Sequence, residues 1–276
     1  MDITDSSIGT LPELAIVKIQ QLKFHEQPDW QRVEKIIKSL RRRGQLKNPP
    51  VTTRIDKTAE YLIIDGANRV TALRILGYEN ILIQVVDLNS PDLVLSNWHH
   101  VLKGLKSDDL TRLINQVEGL TLKTRVSVAP EDRLFSIHFA NGNNFAVLSD
   151  LSFEQKIDQL HQFFTLYHGE YFLDRVSYRD PERLHRVYNG YAALIQYQPL
   201  KKQQIITMVE NNLLLPSGLT RFILPKRALG CNLDLTLLRG QKTDQERRKI
   251  LTQFLAQKLR DNKIRFYHEP TFHFDN

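Results

Sequence analysis

The chain has 276 residues, of which 41% are hydrophobic and 25% charged, so it is long enough for two modest cores and too apolar for a disordered segment. Its single cysteine, Cys231, excludes an intrachain disulfide framework and a cysteine-rich zinc site, and it suits the cytoplasm. The formal charge of +7 raises a nucleic-acid reading, which depends on where the positive charge lies.

The opening MDITDSSIGTLPELAIVKIQ lacks a basic start ahead of an apolar core, and no run of about eighteen apolar residues follows. The expectation is a cytoplasmic protein, neither secreted nor membrane-spanning. Leu14 to Phe24 alternates as a first strand and ends at His25-Glu26. Trp30, Val33, Ile36, Ile37 and Leu40 then recur at helical spacing, with Gly44 placed to stop the helix. The densest basic run, Arg32 to Lys47, lies on this helix; a solvated helix face accounts for it better than duplex binding, which stays open as the weaker reading.

Pro49 and Pro50 admit only an extended entry into a strand at Val51 to Ile55. A second short strand, Tyr61 to Ile64, stops at Asp65-Gly66, and NRVTALRILG then shows helical periodicity closed by Gly77. Ile81 to Leu88 completes a compact mixed unit by about residue 95. Beyond it, the spacing predicts helices through Phe153 to Tyr167, Leu200 to Leu213 and Ile250 to Leu259. Strands are expected at Leu134 to Phe139, Phe145 to Leu148 and Gly190 to Tyr197. The expected organisation is an α/β (α+β) protein with domains 1–95 and 96–276.

The turn in YLIIDGANRVTALRILG places Asp65 and the amides of Gly66, Ala67 and Asn68 at a helix start. Free amides and the positive end of the helix dipole attract phosphate there, and the bare Gly66 allows close approach. Arg69 offers a bidentate contact. Asp65 would repel phosphate unless a hard cation such as Mg2+ bridged the two, so the pattern suits a metal–nucleotide site. By itself an Asp-Gly before a helix is more often an ordinary turn and cap.

The segments GQLKNPPVTT, YLIIDGANRVTALRILG and ILIQVV, in this order, resemble the nucleotide-binding domain of the ParB/sulfiredoxin superfamily, over about residues 11 to 95. Ala67 and Asn68 stand where sulfiredoxins carry their catalytic cysteine, which excludes that chemistry. DGANR is similar to the Asp-Gly-x-His-Arg motif of the free serine kinases, including the SbnI type associated with siderophore biosynthesis. It departs from that motif at Asn68, which can donate to a phosphate but carries no charge. SNWHH, YQPL, PSGLTRF and KRALGCNLDLTLL extend the resemblance to these kinases through most of the second half.

The resemblance implies transfer of the terminal phosphate of ATP, or of ADP as in some relatives, to free L-serine. It implies that Glu26 accepts the serine proton, that Asp65 holds magnesium, and that Gly66, Ala67, Asn68 and Arg69 hold phosphates. It assigns Trp98, His100, Thr220, Arg221 and Arg227 to the serine side, where an arginine suits an amino-acid carboxylate. Without it, Glu26 reads as an exposed loop residue and the arginines as surface groups. The rival reading is a ParB-like nucleotide- and DNA-binding regulator without turnover, although no helix-turn-helix is evident after residue 95.

Overall fold

The computed structural model describes residues 11–124 and 128–267; the first half of the opening segment lies outside them. By their contacts the residues form two units. One comprises Met1–Lys23, Trp30–Asp87 and Pro225–Asn276, and the other Phe24–Asp29 and Leu88–Leu224. The expectation of one boundary near residue 95 follows chain order, whereas the contacts return the C-terminal segment to the first unit and carry Phe24–Asp29 to the second. The ties responsible are long-range and invisible to local periodicity. Leu233–Asp234 pairs with Gln45–Leu46, and the Asn80 amide donates to the carbonyls of Leu238 and Gly240. Gln84 donates to the Lys226 carbonyl and accepts from the Ala228 N–H.

The first unit is built on a five-stranded mixed sheet in the order Glu13–Lys18, Asn80–Val85, Val51–Arg54, Tyr61–Asp65, Leu22–Lys23. Ile81, Leu82 and Ile83 are fully buried on both sheet faces, which explains an apolar run where a half-exposed strand would alternate. The helices Trp30–Arg43 and Ala67–Ile75 pack on each other. Gly44, at φ +64°, closes the first helix, because only the left-handed conformation lets the chain turn back under its last carbonyls. Arg32, Lys35, Lys38, Arg41, Arg42 and Arg43 are all exposed on it.

The second unit carries a six-stranded antiparallel sheet in the order Phe172–Val176, His99–Lys103, Tyr191–Tyr197, Phe135–Phe139, Asn144–Leu148, Thr121–Thr124. The helix Phe153–Tyr167 starts in a capping box between Ser152 and Gln155 and stacks Phe163 on Phe135 at 4.6 Å. A two-stranded ribbon, Val94–Asn97 with Thr220–Ile223, completes this unit. The strands His99–Lys103 and Phe172–Val176 escape pattern reading, because the first begins with two buried histidines and the second carries Asp174 and Arg175 mid-strand.

His100 lies wholly buried among Phe164, Tyr167 and Tyr197. Burial, with the nearby Arg175 guanidinium adding to it, lowers its pKa from an ordinary 6.5 to about 3. Burial, Arg179 and His138 lower that of His99 to about 4. Both are neutral in the fold and chargeable in the unfolded chain, so their stabilisation is complete above pH 6.5 and drains away as pH falls toward the folded values. Thermal melting is therefore expected to drop between pH 7 and 4, and less steeply in a His100→Gln variant; equal slopes in the two proteins would exclude His100 as a contributor.

Candidate functional site

The candidate residues fall into two constellations, one in each unit. The first is built around Glu26. Its backbone is fixed because Leu215 donates its N–H to the His25 carbonyl and accepts from Gln27, both at 2.8 Å, forming a parallel bridge at Glu26. Its side chain meets the turn Ser217–Thr220. Oε2 accepts from the Gly218 N–H at 2.9 Å, and Oε1 accepts from the N–H groups of Leu219 at 3.1 Å and Thr220 at 2.5 Å. The Thr220 hydroxyl adds a fourth bond to Oε1 at 2.6 Å. Because that proton goes to Glu26, the contact of His25 Nε2 with Thr220 Oγ1, at 2.8 Å, has the imidazole as donor.

Glycine is required within this turn. Gly218 has φ +74°, and a Cβ there would sit 2.2 Å from Nε of Arg175. The strand after the turn pairs Thr220 with Asn97 and Arg221 with Ser96, which sets the Arg221 guanidinium over the half-buried Trp98 ring at 4.9 Å. Glu26 thus meets Thr220, and Arg221 meets Trp98, with Glu26 in the second unit rather than in an N-terminal domain. His100 does not reach the surface. It is a core residue whose Nε2 contacts the Gly218 carbonyl at 3.3 Å and whose Nδ1 contacts the Tyr167 hydroxyl at 2.7 Å, so a direct place in a substrate wall is corrected to one behind the turn.

The second constellation surrounds Asp65, at the end of the strand Tyr61–Asp65. Gly66 caps the following helix at φ +101°, and a Cβ on it would press to 2.9 Å on both Pro50 and Arg69. Asp65 Oδ2 accepts from Arg69 Nη2 at 2.9 Å and from Arg227 Nη1. Burial alone would raise the Asp65 pKa, but the two guanidinium groups outweigh it and hold the carboxyl below the usual range, so it is ionised at neutral pH. Arg69 also donates to the carbonyls of Asn48 and Pro49, at 2.9 and 3.1 Å, which leaves only two of its five N–H groups for a phosphate. Arg227, expected with Thr220 and Arg221, is found here with Asp65. At the helix start the N–H groups of Arg69 and Val70 both turn to the Gly66 carbonyl, at 2.9 and 3.1 Å.

Among the described residues no group of three or more His, Cys, Asp or Glu side chains is placed to hold a metal ion. Magnesium, which takes most of its ligands from water and phosphate, needs only one or two carboxylates. An ionised Asp65 whose arginine contacts both fall on Oδ2 fits that need through Oδ1. No motif in the sequence marks Arg175, which donates to the Ser217 carbonyl of the Glu26 turn, or Tyr167, which bonds His100 behind it; only the tertiary contacts do.

No protein-family model matches the chain. It is 24% identical over 260 residues to the ATP-dependent L-serine kinase SbnI of Staphylococcus aureus, covering 94% of this chain and 96% of that protein. A solved structure of that SbnI, truncated at its C-terminus, superposes with a TM-score of 0.72 at 22% identity, over 89% of this chain and 97% of the other. The ADP-dependent L-serine kinase SerK of Thermococcus kodakarensis is 24% identical over 150 residues, 54% of this chain and 61% of that one. A free serine kinase solved with AMP superposes with a TM-score of 0.70 at 20% identity, covering 85% and 98% of the two chains. The chain thus has the fold of SbnI and of the free serine kinase along most of its length.

Proposed function

We propose that this protein transfers the terminal phosphate of ATP, or alternatively of ADP, to the hydroxyl of free L-serine, giving O-phospho-L-serine. The observation that carries the reading is the Glu26 carboxylate, held by three amides while it accepts a hydrogen bond from an alcohol, that of Thr220. A serine hydroxyl would approach on the Oε2 side, where only the Gly218 N–H is bound, because Oε1 already takes two N–H groups and the Thr220 hydroxyl. The named relatives, ATP- and ADP-dependent L-serine kinases, support the substrate class and both donors.

In this reading the serine oxygen attacks the terminal phosphorus as the bond to the leaving nucleotide oxygen breaks, and the serine proton passes to Glu26. Phosphoryl transfer has a loose transition state, so the protein's work is mainly alignment and charge neutralisation. Arg221, with its guanidinium over Trp98, suits the serine carboxylate. The first-turn amides at Gly66, Ala67 and Asn68 suit phosphate oxygens. Arg227 serves the nucleotide side with Arg69, because both share Asp65. Asp65 would hold magnesium, which when bound neutralises charge building on the transferred phosphoryl group. The place of action is the cytoplasm, and among the described residues no helix is long and apolar enough to cross a membrane.

Incubation with L-serine and either ATP or ADP, followed by mass spectrometry, is expected to yield O-phosphoserine with at least one donor; nucleotide hydrolysis without phosphoserine would refute the reading. Glu26→Gln should lower kcat by about 100- to 10,000-fold with little change in nucleotide affinity, since one proton acceptor is lost and no phosphate ligand. Retention of full turnover would remove Glu26 as the acceptor. Asp65→Asn should raise the magnesium concentration needed for half-maximal rate, and an unchanged requirement would exclude Asp65 as its ligand.

A further inference from the structure

The turn that holds Glu26 is gripped on both edges of three successive peptide planes. In the Ser217–Gly218 peptide, the N–H goes to Glu26 at 2.9 Å and the carbonyl accepts from Arg175 Nη2 at 3.1 Å. In the Gly218–Leu219 peptide, the N–H goes to Glu26 at 3.1 Å and the carbonyl meets His100 Nε2 at 3.3 Å. In the Leu219–Thr220 peptide, the N–H goes to Glu26 at 2.5 Å and the carbonyl accepts from the Trp98 backbone N–H at 2.9 Å. A peptide unit is planar, so fixing its carbonyl fixes the direction of its N–H. The carbonyl partners therefore aim the three donors that aim Glu26.

The histidine grip has a defined polarity. A carbonyl oxygen can only accept, so His100 carries its hydrogen on Nε2. Its bare Nδ1 then accepts from the Tyr167 hydroxyl, and Tyr167 in turn accepts from the hydroxyl of Tyr197. All three side chains are buried, so no water competes for these positions. Arg175 has a second attachment, an ion pair with Asp29 at 3.6 Å, which ties the turn to the same short segment that bears Glu26. The side chains of Arg175 and Asp29 are only 9% and 11% exposed, so solvent screens this pair weakly.

We infer that His100 and Arg175 are positioning residues for phosphoryl transfer, acting through the carbonyls of Gly218 and Ser217 to hold the Glu26 carboxylate in place. This inference rests on the serine kinase reading for its catalytic consequence but not for its structural one. Neither residue needs to touch substrate or nucleotide. A shift of about 1 Å in an aligned group costs on the order of a hundredfold in rate while ground-state binding elsewhere survives. Loss of a carbonyl grip should therefore appear in kcat and leave nucleotide KM nearly unchanged.

The test compares His100→Leu, which fills the space without a donor, with His100→Gln, whose amide can still donate to the Gly218 carbonyl. With L-serine and ATP, His100→Leu is expected to lower kcat by about tenfold to a hundredfold at nearly constant nucleotide KM, and His100→Gln to recover most of it. Equal losses in both variants, or a loss confined to KM, would overturn the inference. Should His100→Leu fail to fold, Arg175→Lys takes its place; it keeps the charge facing Asp29 but loses the planar fork, and unchanged kcat there would count against the inference. Amide proton shifts of Gly218, Leu219 and Thr220 provide a readout without turnover. They should move in His100→Leu and hold in His100→Gln even if serine proves not to be the substrate, and their constancy in both would overturn the inference whatever the substrate is.

Discussion

The Glu26 carboxylate gathers three consecutive amide protons and one hydroxyl proton from a four-residue turn that lies almost two hundred positions away in sequence. A carboxylate in such a nest is fixed in place and oriented, which a long, exposed glutamate side chain would not be. This interaction also explains why Phe24–Asp29 leaves the unit its neighbours build and joins the second one. The bridge to Leu215, the Asp29–Arg175 pair and the nest bind the segment there at three separate points.

The Asp65 constellation follows a different logic. Two guanidinium groups share one carboxylate oxygen, so the cluster carries a net positive charge beside a helix N-terminus, and both features favour an anion. Arg69 is committed on three sides, to Asp65 and to the backbone at Asn48 and Pro49, and acts more as the clamp of the turn than as an open phosphate ligand. Gly66 has no substitute in this packing, because a side chain would strike both Pro50 and Arg69. The Asn68 departure from the kinase motif removes one charge-bearing position from the same turn, and Arg227 brings another cation to it from the far end of the chain.

Much of the first unit was legible in the sequence because its signals are local. The apolar period of Val33 to Leu40, the stop at Gly44, and the strand–turn–helix at Asp65 each declare themselves within a dozen residues. The helix Phe153–Tyr167 and the strands Phe135–Phe139 and Tyr191–Tyr197 were legible for the same reason. What local pattern could not reveal was re-entry: nothing in KRALGCNLDLTLL says that Gln84 will clamp its first residues or that Leu233 will pair with Leu46. Among site residues, Glu26 meets Thr220 and Arg221 meets Trp98, an association that only the long-range contacts reveal. His100 shows the opposite outcome, since the resemblance assigns it to the serine side while Phe164, Tyr167 and Tyr197 enclose it completely. Arg227 was grouped with its neighbours in sequence, but its ion pair is with Asp65.

The Glu26 nest is the contact on which the turn and the proposed proton transfer both depend, and hydrogen exchange measures it most directly. The amide protons of Gly218, Leu219 and Thr220 should exchange slowly in the intact protein, although they belong to a turn. In Glu26→Ala they should exchange much faster, while the strand His99–Lys103 keeps its protection. Fast exchange at all three positions in the unmodified chain, or protection that survives removal of the carboxylate, would contradict it.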